Sequence, residues 1–264
     1  HKTVRRQRQM CIRDRWKPDF SDIRAKMDDD VRLLVLINPN NPCGSVCGPD
    51  DIDALLAIAR DFPNCIVVAD EIYDGLDFTG EQVSVASRST DVPVIALNGV
   101  SKVYYAPGWR IGYMALHDPQ RRLTLVRDGL ERLLRSRLCA STPAQMGYLA
   151  GLEGDRGWME VYAKRVQQQR DHCLRRIQGI DGLEVEHPGG AFYMFIRLTD
   201  ERWAADDKAF VLDLLHEEHV LLVHGSGFSP DLGKGHVRLV YLDVSVLDEV
   251  FDRIDRFLKK HRQG

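Results

Sequence analysis

No run of this chain approaches the ~18 consecutive apolar residues of a membrane span; the longest apolar stretches, such as residues 65–69 (C-I-V-V-A), are of strand length. Cysteine is sparse. Cys11, Cys43, Cys47, Cys65, Cys139 and Cys173 are too few for a disulfide scaffold, so a reducing cytoplasmic setting is expected. Neither sign of charge dominates: Lys+Arg 36 against Asp+Glu 39 leaves a net −3. A nucleic-acid or membrane-surface partner would draw a basic surplus, and neither is expected. Internal repeats and low-complexity tracts are missing, as is a G-x-x-x-x-G-K-[ST] phosphate loop. Residues 1–15 lack apolar periodicity and crowd Lys2, Arg5, Arg6, Arg8, Arg13 and Arg15. They are expected to be a non-native or disordered leader joined to a truncated reading frame, outside the fold. What remains is globular text, 44% hydrophobic and 28% charged, enough to bury a core over one large or two modest domains.

Strand and helix signals alternate from residue 19 onward. Residues 22–27 predict a short helix, and 32–37 (R-L-L-V-L-I) a strand buried on both faces of a parallel sheet. Residues 49–61 place Ile52, Leu55, Leu56, Ile58 and Ala59 at helical spacing behind Asp50 and Asp51. Residues 65–69 and 92–97 are the next strands, with Cys65 a small core residue. Long helices are predicted over 121–138, 142–153 and 158–177. Beyond Gly182 a strand pair about Pro188-Gly189-Gly190 leads to helix, strand, strand and a final helix over 245–261. The pattern predicts an α/β domain with a mostly parallel sheet flanked by helices, then a small C-terminal α+β domain. The divisions are 1–15 for the leader, 16–165 for the large domain and 166–264 for the small one.

Three segments follow three successive strands. The first, Asn38-Pro39-Asn40-Asn41-Pro42-Cys43-Gly44, is a stiff extended turn, because the residue before a proline avoids the helical region. The second, Ala69-Asp70-Glu71-Ile72-Tyr73, puts a carboxylate at the end of a buried strand. Such a group needs a cation or several donors, unless Asp70 merely caps a helix. The third, Asn98-Gly99-Val100-Ser101-Lys102, carries an amine among apolar neighbours, and Gly108-Trp109-Arg110-Ile111-Gly112 adds a planar fork suited to phosphate. Taken together they ask for one ligand with a phosphate, a ring nitrogen, a phenolate-like oxygen and an aldehyde. Pyridoxal 5′-phosphate is such a ligand.

N-P-N-N-P-C-G, then A-D-E-I-Y, then S-K with G-W-R-I-G, in this order, resembles the class I/II aminotransferases of PLP fold type I. The segments R-L-C-A-S-T-P-A-Q, G-G-A-F-Y-M-F, V-L-L-V-H-G-S-G-F and H-V-R-L extend the resemblance from about Trp16 to the C-terminus. F-S-D-I-R-A-K-M and N-G-V-S-K are most like the alanine aminotransferase branch. The resemblance implies a partial PLP fold type I large domain. It implies that Lys102 binds the cofactor covalently and then moves the substrate α-proton, and that Asp70 faces the pyridine nitrogen. It also implies that Asn41 and Tyr73 bond the 3′ oxygen, that Ser101 and Arg110 hold the phosphate, and that Arg238 pairs with the substrate carboxylate.

Alanine and 2-oxoglutarate are the expected amino acid and 2-oxo acid, and a homodimer the expected full-length assembly. Two departures stand out: Cys43 and Gly99 occupy positions where relatives carry a threonine and a phosphate-binding hydroxyl. His224 and Cys139 flank motifs and are expected to pack, not react. The family's N-terminal half-domain has no counterpart here, so weak cofactor binding and slow turnover are expected. The alternatives are a lyase of the same fold and cofactor, or a PLP-sensing effector domain of a transcriptional regulator.

Overall fold

A computed structural model describes residues 16–241 and 244–262, apart from the side chains of Arg137 and Val244. The leader at 1–15 lies outside the described residues. The chain divides into two compact units. The first comprises Pro18–Pro39 and Cys47–Val161; the second takes Asn40–Val46 and everything from Tyr162 onward, with Trp16 and Lys17.

The first unit opens with α1 (Phe20–Lys26), capped by Asp19, whose carboxylate accepts from the Ser21 and Asp22 amides. Strand β1 (Leu33–Ile37) leads to α2 (Pro49–Arg60), which starts with proline at its first position and Asp51 reaching back to the Gly48 amide. Strands β2 (Ile66–Asp70) and β3 (Val94–Gly99) follow, separated by the single-turn α3 (Val85–Arg88). β4 (Gly112–His117) then returns antiparallel to β3. The sheet order is β1-β2-β3-β4, with the first three parallel. Every apolar position that the spacing assigned to α2 is buried, packing on Val67, Ala69 and Val94.

Two expectations change here. β1 is an edge strand of the described sheet, and Leu33 and Val35 on one face are exposed, so it is not buried on both sides. No helix follows Asp70 directly; residues 72–75 are turns, and the Asp70 carboxylate instead accepts the Ile72 amide at 3.2 Å. The unit ends with α4 (Thr124–Arg137), α5 (Thr142–Glu153) and the start of α6 (Gly157–Gln178).

The second unit contains the rest of α6 and an antiparallel sheet in the order β5-β6-β8-β7. Its strands are β5 (Leu183–Val185), β6 (Tyr193–Leu198), β7 (Val223–His224) and β8 (His236–Val240). α7 (Glu201–Ala205), α8 (Asp207–Glu218) and α9 (Val244–Arg262) complete it. Trp203, Phe210 and Phe257 form an aromatic cluster with ring centres about 5.5 Å apart. Burying rings of this size supplies much of a small domain's core energy. Residues 40–46 join this unit through Gly44, whose carbonyl accepts from the Gly189 and Gly190 amides at 2.8 Å each. Gly44 has φ +70, and a Cβ there would lie 2.7 Å from Pro188, so only glycine fits the docking.

Candidate active site

Parallel strands deliver their following loops to one edge, and in α/β sheets ligands gather at that carboxyl edge. β1, β2 and β3 end in register: Ile37 pairs with Asp70, and Asp70 with Leu97. Of the seven residues expected to form the site, Asp70, Tyr73, Ser101, Lys102 and Arg110 lie in the first unit, while Asn41 and Arg238 lie in the second.

In the first unit, burial pushes the Asp70 carboxyl above its ordinary value, and the Ile72 amide and the Lys102 charge pull it back. Lys102 follows β3, the strand that pairs with the one Asp70 ends. It is half-buried on a loop anchored by Val100 and Val103, both buried, and its carbonyl accepts from Tyr105. Two glycines let this loop close against the sheet. A Cβ on Gly99 would lie 2.8 Å from the Ile111 carbonyl and 3.0 Å from Gly112 Cα. Glycine in place of the relatives' hydroxyl thus has a steric reason. Ser101 is half-buried beside it. Arg110 is exposed, takes a left-handed backbone (φ 54) and donates Nη1 to the Pro107 carbonyl at 2.8 Å. Tyr73 is buried in the turn after β2.

In the second unit, Arg238 Nη1 donates to Asn41 Oδ1 at 2.7 Å. A guanidinium only donates, so the Asn41 acceptor is its amide oxygen, and the amide nitrogen is the end left to donate. The guanidinium also lies over the Tyr193 and Phe228 rings. Cys43 is buried, and its thiol donates to Asn40 Oδ1 at 2.9 Å, the local bond a threonine hydroxyl would make.

Asn38 was not singled out from sequence. It is buried, and its side chain both accepts the Cys47 amide (2.9 Å) and donates to the Cys47 carbonyl (3.0 Å). A buried primary amide needs two such partners, and that was the available signal. Of the two residues expected to pack, His224 bonds the Ser226 hydroxyl at 2.9 Å, whereas Cys139 is exposed. Cys65 is buried and its thiol is pushed up to about 11, so it stays neutral in the core.

The donor set suits pyridoxal phosphate. A half-buried carboxylate that burial disfavours as an anion is relieved by a cationic ring nitrogen, and the Lys102 amine follows the neighbouring strand β3. The model of the aminotransferase class I and II family matches residues 3–254, and the chain belongs to that family, whose cofactor is pyridoxal 5′-phosphate. Within it, the chain is 37% identical to the glutamate-pyruvate aminotransferase AlaA of Haemophilus influenzae, over 96% of this chain and 64% of that protein. It is 34% identical to the alanine aminotransferase of Mycobacterium tuberculosis, over 94% of this chain and 58% of the relative. The solved alanine aminotransferase from Pyrococcus furiosus superposes with a TM-score of 0.88 at 43% identity, over 93% of this chain and 62% of that one. The chain thus spans about 58–64% of the length of these relatives. The expected partial PLP fold type I is the fold observed.

Proposed function

We propose that this protein is a pyridoxal-phosphate-dependent transaminase moving an amino group between alanine and 2-oxoglutarate. The observation that carries the reading is the placement of half-buried Asp70 and the Lys102 loop at the carboxyl ends of the neighbouring strands β2 and β3. The substrate pair rests on relatives named alanine and glutamate-pyruvate aminotransferases. When bound, the cofactor supplies an aldehyde that captures amines and a ring that accepts the electron pair freed at the substrate α-carbon.

The chain's residues do the remaining work. Lys102 Nζ would hold the cofactor's aldehyde carbon and, when free of it, would carry the substrate α-proton. Asp70 holds a proton at the ring nitrogen. Asn41 Nδ2 and the Tyr73 hydroxyl donate to the 3′ oxygen. Ser101 and the unused N–H groups of Arg110 bind phosphate, each charge-assisted bond contributing about 1.5–3 kcal/mol. Arg238 takes the α-carboxylate in its planar fork and so orients the Cα–H bond.

A homodimer in the cytoplasm is part of the proposal. Exposed leucines on α4 support the first, and the sparse use of cysteine supports the second. Mixed with the cofactor, the protein is expected to gain a visible absorption band that borohydride fixes at Lys102, and to convert alanine and 2-oxoglutarate to pyruvate and glutamate. Equal trapping in Lys102→Ala overturns the assignment of the amine, and ammonia release without pyridoxamine phosphate points to the lyase.

A further inference from the structure

Arg238 is held from more sides than a surface arginine. Within the second unit its guanidinium carbon lies 4.6 Å from the centre of the Tyr193 ring and 4.9 Å from that of Phe228, while Nη1 is tied to Asn41. Both rings are themselves braced. Tyr193 is buried with Phe192 at 4.6 Å, and Phe228 meets Phe195 edge-on at 6.1 Å. Two ring faces attract the cation and restrict the torsions that would otherwise spread a long side chain over many rotamers. Meanwhile Arg238 Nε is buried and has no hydrogen-bond partner among the described residues. A fixed cation with one buried donor left open is built for an acceptor that arrives later.

We propose that Tyr193 and Phe228 are positioning residues: they hold the Arg238 guanidinium so that a carboxylate meets a preformed fork. The inference rests on the reading of Arg238 as the carboxylate's partner and adds a task for the two rings. Pre-organisation of this kind lowers the ordering cost of binding, so its loss weakens carboxylate affinity while the cofactor end is untouched.

The test uses the full chain labelled with ¹⁵N; as pyruvate is added, the backbone amide shifts give the dissociation constant in every variant, and the Arg238 Nε–H resonance, assigned by its loss in Arg238→Lys, reports on the guanidinium. The resonance is expected to shift in the parent and in Phe228→Tyr, which keeps a ring. Phe228→Leu is expected to raise the pyruvate dissociation constant about tenfold, with borohydride-trapped cofactor at Lys102 unchanged. In turnover, the KM for the amino donor rises more than kcat falls. Unchanged pyruvate affinity in Phe228→Leu, alongside weakened binding in Arg238→Lys, overturns the clamp and leaves the role of Arg238 standing. Parent-like binding in Arg238→Lys overturns both. Should Phe228→Leu fold poorly, Tyr193→Phe still decides: it keeps the ring, so a tenfold loss there shows that the hydroxyl acts and the clamp is wrong.

Discussion

Burial raises the pKa of three carboxyls within one short turn, Asp70, Glu71 and Asp74. Each has partial compensation: the Ile72 amide and Lys102 for Asp70, the Val85 amide and Ser84 for Glu71, and Arg156 with the Gly75 amide for Asp74. In all three desolvation wins. A raised carboxyl keeps its proton in the native state after the unfolded chain has released it at the ordinary value of 3.8 for aspartate. The native state then binds more protons, so its stability is full below that value and is lost as pH rises through the raised pKa. Asp74→Asn, which has no proton to lose, is expected to match the parent near pH 4 and to exceed it in thermal midpoint by pH 7. A midpoint difference that stays flat or reverses over that span contradicts the desolvation argument. At this scale the placement of Asp70 and Lys102 after the paired strands β2 and β3 was legible, because those strands are marked by their apolar runs. The Asn41–Arg238 bond was not, since it joins residues 197 apart.

Among the elements, three helices were read closely. α5 matches its expected span, and α2 and α6 fall within a residue of theirs. β4 escaped notice because its first four residues are exposed, leaving no buried run to mark it. α7 is too short to show a helical period. β1 was recognised as a strand, but continuous apolar text does not reveal that a strand lies at a sheet edge. The turn after β1 depends on a detail of hydrogen bonding. Asn38 and Cys47, both in the first unit, join the two ends of the excursion that carries 40–46 into the second. Asn38→Ala removes two buried bonds to the Cys47 backbone, so urea unfolding is expected to show a loss of about 1–3 kcal/mol. An unchanged midpoint would mean that the contacts of the loop itself suffice.

For the whole molecule, the change of style after residue 182 pointed to two bodies, but the claim of the second on residues 40–46 follows from the docking of Gly44, which no local pattern encodes. The same scale governs association. α4 is amphipathic, yet none of its described side chains is buried, and Leu125, Leu133 and Leu134 are 85%, 69% and 64% exposed. Leu138 beyond its end and Met146 on α5 are also exposed. Apolar side chains gathered on one helix mark a surface that water covers poorly, and a second copy of the chain is the partner the proposed homodimer supplies. Leu133→Glu combined with Leu134→Glu places charge on that face. Because both side chains are already exposed, the fold is expected to lose no more than about 0.5 kcal/mol per site. Sedimentation velocity at micromolar concentration is expected to show the parent as a dimer and the double variant shifted to monomer. If the two sediment alike while melting alike, α4 does not form the dimer contact, and the exposed leucines need another partner.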